Sequence, residues 1–208
     1  MKKLMMMATC AVSLFALSLE TRAESDTWPW SPVGIGLVTP AQIPLVESDV
    51  YGLRLDVILG WNAVVYGVDL GVANVTEENE DALQAGLFNV VRGDMTGLQI
   101  GALNYDATLM KGVQFGIVNW SGLSAYGLQA ALVNSDMRSL SGIALGGVNY
   151  ASTFEGAQIG GINFADSVTG CQIGFINACD EMHGIQIGVF NMIAASSLPC
   201  MVIANMSF

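Results

Sequence analysis

The sequence predicts an all-β protein whose main part is a parallel β-solenoid of about ten coils, each formed by one copy of a repeat of 14 or 15 residues. Three observations support this fold class. An asparagine recurs at nearly constant spacing, apolar residues alternate with Gln or Gly before it, and the spacing never drifts by more than one residue. Insertions are not tolerated where like positions stack, so constant spacing favours a solenoid. The nine recurring asparagines are Asn74, Asn89, Asn104, Asn119, Asn134, Asn149, Asn163, Asn177 and Asn191.

Each copy has the same internal order, illustrated by GLQIGALN at 97–104. We number the repeat from its first glycine: position 1 is Gly in eight of the nine copies with Ala82 as the exception, 3 is usually Gln, 5 is Gly in eight of the nine copies with Ala131 as the exception, and 8 is Asn. Positions 2, 4, 6 and 7 are mostly apolar. We expect a strand over positions 2 to 6, then a turn and a second extended segment. The position 3 glutamines are Gln84, Gln99, Gln114, Gln129, Gln158, Gln172 and Gln186.

Stacking gives the recurrent polar residues a physical role. Asn side chains on successive coils are predicted to bond one another in a ladder, and Gln to form a second ladder. Recurrent Gly is predicted at corners with positive φ or where no space remains for a side chain. We also expect an imperfect first copy from Gly52 and a degenerate tenth copy that ends in Ala204 and Asn205.

The first 23 residues have the pattern of a secretory signal peptide. Lys2 and Lys3 precede an apolar run from Leu4 to about Leu19, and small residues stand three places and one place before the expected cleavage site. The sequence therefore predicts export, with residues 1–23 removed. Net charge is -11 for the whole chain, and 4 basic against 17 acidic residues give -13 after cleavage. Such an acidic chain is not expected to bind nucleic acid.

Residues 24–51 break the repeat and hold four of the five prolines, and 52–208 hold the array. The predicted organisation is therefore a signal peptide at 1–23, an N-terminal cap segment at 24–51 and the tandem β-repeat array. A cap is expected because an uncovered solenoid end is an exposed sheet edge.

An antiparallel outer-membrane β-barrel is the alternative architecture. The export signal, the 52% hydrophobic content and the alternating C-terminal segment MVIANMSF favour it. Against it, antiparallel strands would place like repeat positions at opposite ends. The strand core of about seven residues is also shorter than the 9 to 11 that span a membrane. The solenoid is therefore the preferred prediction.

Few residues suggest catalysis. His183 is the one histidine, so any Cys–His catalytic arrangement would have to use it. Cys179 lies four residues before it, with Asp180 and Glu181 between. We interpret His183 as an exposed corner residue and predict no catalytic and no cofactor-binding residues. Three cysteines remain after cleavage, Cys171, Cys179 and Cys200. An odd number permits one disulfide and one free thiol, and the sequence does not show which two residues would pair.

The densest charge is an acidic cluster at Glu77, Glu78, Glu80 and Asp81. Carboxylates in this number can hold Ca²⁺, but the favoured interpretation is a solvated loop, so no metal site is predicted.

Aromatic residues follow the asparagine in several copies, at Tyr105, Trp120, Tyr150 and Phe164. Corner packing is the first interpretation, and a strip for glycan or protein contact is the second.

The tandem GLQIGxxN unit, preceded by YGLRLDVILGWNAVVYGVDLG, resembles the bacterial surface-repeat-containing proteins over about residues 50–205. The resemblance implies an exported protein of the cell envelope or surface of a diderm bacterium, and it transfers no catalytic residues. We therefore expect a non-enzymatic scaffold or binding face for an envelope protein or glycan, at the cell surface or outer membrane. The alternatives are a periplasmic location and a small outer-membrane barrel that acts as a pore or anchor.

Overall fold

A computed structural model describes residues 30–39 and 41–208, so the expected signal peptide at 1–23 lies outside the described residues. In this part of the chain no helix has the length and hydrophobicity of a membrane-spanning segment. The strands are β1 (Trp30–Val38), β2 (Ala41–Ile43), β3 (Asp49–Asn62), β4 (Val65–Thr76), β5 (Glu80–Ala85), β6 (Phe88–Val91), β7 (Met95–Ile100), β8 (Leu103–Asp106), β9 (Leu109–Phe115), β10 (Val118–Ser121), β11 (Ser124–Ile193) and β12 (Cys200–Ser207).

Successive copies of the repeat stack in parallel with like positions side by side. β5 pairs with β7 and β7 with β9, which places Gln84 beside Gln99 and Gln99 beside Gln114. β6, β8 and β10 stack in the same way on the other side of each coil. The fold is thus the predicted parallel β-solenoid, one coil per copy, and the antiparallel barrel alternative is wrong.

Glycine at position 1 lies within a strand, as Gly112 does in β9, and not at a corner of the coil as the sequence predicts. Gly112 has a φ of +130°, and a Cβ built there would collide with the carbonyl oxygen of Gly97 on the preceding coil. Eight other glycines share this conformation, beginning with Gly52, which confirms the imperfect first copy. Close stacking on the preceding coil therefore favours glycine at position 1, and Ala82 in the second copy is the exception.

Two ladders of side-chain amides run through the interior in opposite directions. Nδ2 of Asn104 donates to Oδ1 of Asn119 on the following coil at 2.8 Å and to the carbonyl oxygen of Phe115 at 2.9 Å. Nε2 of Gln114 donates to Oε1 of Gln99 on the preceding coil at 2.8 Å. Both predicted ladders are therefore confirmed, and their amide dipoles oppose each other along the solenoid.

The asparagine ladder explains the glycine at position 5. A Cβ on Gly101 would lie 2.6 Å from Nδ2 of Asn89 and 2.8 Å from Oδ1 of Asn104. Ala131 is the exception among the nine copies. Next to its methyl group, Asn119 donates to the carbonyl oxygen of Gln114 at 3.3 Å and not to the position 4 carbonyl that the other central asparagines use.

Apolar side chains fill the rest of the narrow interior. They come from the residue two places before position 1, such as Met110, Leu140 and Phe154, and from the residue two places after the asparagine, such as Ile193. The solenoid thus has a mixed core in which polar ladders alternate with apolar rows.

The two ends carry strands that depart from the repeat. β1 pairs in parallel with β3, and β2 folds back antiparallel on β1. β12 runs antiparallel to the last coil, with Asn205 beside Gln186. The expected tenth parallel copy is therefore wrong. The chain after Gly188 contains no glycine that could take the positive φ of another position 1.

Candidate functional site

The charged side chains that reach the surface of the array are confined to one long edge. They all follow the second strand of a coil and precede the next position 1, whereas the remaining six charged residues of 52–208 are buried. We call this surface the acidic edge because it carries eight acidic and three basic residues. They are Glu77, Glu78, Asp81, Asp94, Glu155, Asp166, Asp180, Glu181, Arg92, Lys111 and Arg138.

The opposite long edge is apolar over its whole length. Positions 4, 6 and 7 carry no polar or charged side chain in any copy from Gly67 to Asn191, and we call this surface the apolar edge. Its large exposed side chains are Leu70, Val72, Leu87, Phe88, Ile100, Phe115, Ile117, Leu132, Val133, Leu145, Ile159, Ile173, Phe175, Ile176, Ile187, Val189 and Phe190.

The apolar edge has relief because position 5 is glycine. Side chains at positions 4 and 6 stand out on either side of the position 5 backbone, so two ridges flank a shallow groove, and the position 6 ridge is interrupted at Gly147 and Gly161. Near the C-terminal end this groove widens into an open depression of about 660 Å³, which residues of β12 also line. Its lining is Ile159, Gly160, Ile173, Gly174, Phe175, Ile187, Gly188, Val189, Val202 and Ile203.

The exposure of this edge is larger than a solitary soluble protein ordinarily keeps. Phe175 is 71% exposed and Leu132 is 65% exposed, and the row at position 7 beside them carries an apolar side chain in all nine copies. Contiguous apolar patches of more than a few hundred Å² mark interaction surfaces. The edge can therefore bind apolar matter by exclusion of water.

The structure separates the residues of the Cys–His alternative. Cys179 is buried, its Sγ accepts a hydrogen bond from Nε2 of Gln186 at 3.3 Å, and burial raises the pKa of its thiol to about 11. His183 is exposed on the acidic edge, with its ring centroid 6.0 Å from that of Phe208, as expected for a corner residue. A buried protonated thiol is a poor nucleophile. Cys171, Cys179 and Cys200 are all free thiols.

The acidic cluster does not form one solvated loop, because Glu80 points into the interior. Its Oε2 accepts hydrogen bonds from Thr76 at 2.7 Å and Gln84 at 2.6 Å, and burial raises its pKa well above the usual range. Glu77 instead pairs with Arg92 at 3.0 Å on the surface. Across residues 30–39 and 41–208, no three His, Cys, Asp or Glu side chains are grouped so as to hold a metal ion.

Sequence analysis missed the buried charges. Nε and Nη2 of Arg54 donate to the two carboxylate oxygens of Asp69 at 2.6 and 2.5 Å, and both residues are fully buried. The signal was present: Arg54 and Asp69 replace Gln at position 3 of adjacent copies, and stacking brings such positions together. Asp106 and Asp136 are two further buried carboxyls, whose pKa burial raises to about 8 and about 7.

The aromatic residues after the asparagine do not form a continuous exposed strip. Trp120 is only 6% exposed, as corner packing predicts, and Tyr105 beside it is half-buried. The buried Ser135 separates these two from Tyr150 and Phe164. This face therefore offers less contact surface than the apolar edge.

Searches of protein-family models, curated proteins and solved structures found no match to this chain.

Proposed function

We propose that this chain is a non-enzymatic, exported scaffold protein of the cell envelope of a diderm bacterium, and that it docks a protein partner through its apolar edge. The observation that carries the proposal is the segregation of the surface. Every exposed charge of the array lies on the acidic edge, and positions 4, 6 and 7 present apolar side chains from Gly67 to Asn191.

Selection for folding alone does not account for this segregation. The outward positions could carry Thr, Ser or Lys without disturbing either ladder, because only positions 3, 5 and 8 face the amide rows. An exposed apolar row is an aggregation hazard for a chain that has no partner for it. A partner that covers the row removes this hazard.

A protein partner suits the edge better than a glycan. The edge consists of Leu, Ile, Val and Phe side chains, and it offers no polar side chain to the hydroxyl groups of a sugar. Hydroxyl groups that lose water without gaining a hydrogen bond oppose binding. The complementary surface is therefore an apolar protein face.

Export and envelope location are supported by the N-terminal signal pattern and by the resemblance to surface-repeat proteins. The acidic edge then faces the aqueous phase. A role without catalysis is supported by the separation of Cys179, which is buried, from His183, which is exposed.

Photocrosslinking in cells tests the proposal. The full chain would be expressed in a diderm bacterium with a photoactivatable phenylalanine at Leu132, on the apolar edge, or at Met137 on the other edge of the same coil. We expect a discrete protein adduct from position 132, little from 137, and envelope protein that begins at Glu24 by mass spectrometry. An uncleaved cytoplasmic chain, or equal adducts from both sites, would contradict the proposal.

A further inference from the structure

We propose that the partner docked on the apolar edge is a second copy of this chain, so that two solenoids lie side by side with their apolar edges in contact. This inference rests on the proposed function, since it names the occupant of the same surface. It follows from the size, the charge distribution and the periodicity of the edge.

The apolar edge is large enough for a stable pair. Stacked strands are ~4.8 Å apart and a strand rises ~3.3 Å per residue, so the nine coils from Gly67 to Asn191 span about 43 Å. Positions 4 to 7 add a width of about 13 Å, which gives a flat footprint of roughly 570 Å². The accessible area exceeds this footprint, because seventeen large exposed side chains stand out from it. A standard specific interface buries about 800 Å² on each partner.

The charge distribution permits two acidic chains to meet along this edge. The chain has a net charge of -11, so contact through a charged surface would be repulsive. A coil is about seven residues deep, or ~23 Å, so the acidic edges of an edge-to-edge pair would lie ~45 Å apart. This separation is several Debye lengths at physiological salt, where one length is about 8 Å.

A second copy also matches the edge in periodicity. The ridge at position 4 carries a side chain in all nine coils and repeats at the strand spacing, whereas the ridge at position 6 is interrupted by Gly147 and Gly161. A second solenoid presents a ridge of the same spacing, which can lie in the groove beside position 4. An α-helical partner would present side chains at a pitch of about 5.4 Å and would lose register.

The same observations disfavour a membrane surface as the occupant. Surfaces that lie on bilayers combine an apolar face with Lys and Arg at its border, which attract anionic lipid. The apolar edge has no basic residue, and the three exposed basic residues of the array lie on the acidic edge. Lipid binding is therefore an outcome that the test must distinguish.

The test measures the mass of the purified full chain without detergent, by sedimentation velocity and by light scattering. Ile117→Lys with Leu132→Lys places two charges on the apolar edge of adjacent coils. The matched control, Leu123→Lys with Met137→Lys, changes exposed apolar residues of the same two coils on the acidic edge. Circular dichroism checks that every variant keeps its β-structure.

We expect twice the chain mass for the native protein and the control, and the single mass for the apolar-edge variant. A native monomer, a larger assembly, or a dimer that the apolar-edge substitutions leave intact would overturn the inference. Flotation of a native monomer with phosphatidylcholine vesicles would assign the edge to lipid. If the chain is monomeric but position 132 still crosslinks to another protein in cells, the proposed function stands and only the self-pairing fails.

Discussion

Oε1 of Gln129 and Nε2 of Gln158 face the same coil from opposite sides. In the part of the chain that the structure describes, both atoms are buried without a hydrogen-bond partner. The coil between them has Ala144 at position 3, so the glutamine ladder ends at Gln129 and begins again at Gln158. Because Ala144 has no amide, the acceptor on Gln129 and the donor on Gln158 both lack a hydrogen-bond partner.

Ala144→Gln is therefore expected to stabilise the fold. The new amide would donate to Gln129 and accept from Gln158, and each net hydrogen bond contributes about 0.5 to 1.5 kcal/mol. Chemical denaturation in urea should show a gain of about 1 kcal/mol or more. The control is Ala144→Met, which has similar length and no hydrogen-bonding group. An equal gain in both variants would attribute the effect to packing.

Asn134→Leu should destabilise the fold by about 1 to 3 kcal/mol, because it leaves buried amide and carbonyl groups without partners. Asn134 donates to Asn149 at 2.8 Å and to the carbonyl oxygen of Leu145 at 2.9 Å, and it accepts from Asn119 at 3.0 Å.

Asn205→Leu is the control, since Asn205 lies in β12 outside the ladder and donates to Leu198 at 3.4 Å. Urea denaturation should show a smaller loss for it. Equal, near-zero losses at Asn134 and Asn205 would show that the ladder does not contribute to stability.

Arg54→Met should destabilise the fold by about 3 to 5 kcal/mol, because it leaves a buried carboxylate without its counter-ion. That carboxylate belongs to Asp69, which is fully buried. Arg92→Met removes the surface pair with Glu77 and the stacking over Trp61, and should cost about 1 kcal/mol. Comparable losses in thermal denaturation would contradict the assignment of Arg54 to the interior.

The stability of the fold should decrease as pH rises from about 4 to about 8. Burial raises the pKa of Asp106 to about 8 and of Asp136 to about 7, whereas an unfolded Asp titrates near 3.9. In this window the folded chain binds more protons than the unfolded chain, so the unfolding free energy falls with pH. Each group contributes a slope of up to about 1.4 kcal/mol per pH unit.

Asp136→Asn should remove the contribution of Asp136 to the pH dependence of the unfolding free energy, and it should raise that free energy at pH 8. The amide oxygen can still accept from Nε2 of Gln129, which lies 3.1 Å from Oδ1 of Asp136. The matched control is Asp81→Asn, which changes an exposed carboxylate of the acidic edge. Denaturation curves from pH 4 to 9 give the unfolding free energy of both variants. If that free energy changes with pH equally in Asp136→Asn and in the native chain, Asp136 does not have the raised pKa.

The sequence predicted the solenoid, its ladders and the positive φ of its position 1 glycines, because each depends on a residue that repeats. Gly112 and Asn104 occupy positions whose conformation and hydrogen bonds are the same in neighbouring copies. Departures from the repeat were harder to predict. The antiparallel pairing of β12 and the buried Arg54–Asp69 pair each occur once, so the repeat pattern alone does not predict them.

The apolar edge was also visible in the sequence but was not recognised. Alternation identified positions 2, 4, 6 and 7 as apolar, and an apolar residue in a strand is ordinarily assigned to the core. At positions 2 to 6 of this fold the inward residues are Gln and Gly, so the apolar residues at these positions face outward. Only the ladder geometry, seen at Gln99 and Gln114, shows which face is inside.

Each copy of the repeat lies directly on the preceding one, and a cysteine crosslink between adjacent coils tests this stacking most directly. Lys111 and Tyr126 are exposed, and they are register partners on adjacent coils, so their Cα atoms should lie ~5 Å apart, within disulfide range. In a Cys200→Ser background, Lys111→Cys with Tyr126→Cys should oxidise efficiently. Lys111→Cys with Ser141→Cys, two coils apart at ~10 Å, should not. Failure of the first pair in a folded protein, or equal oxidation of both pairs, would contradict the solenoid.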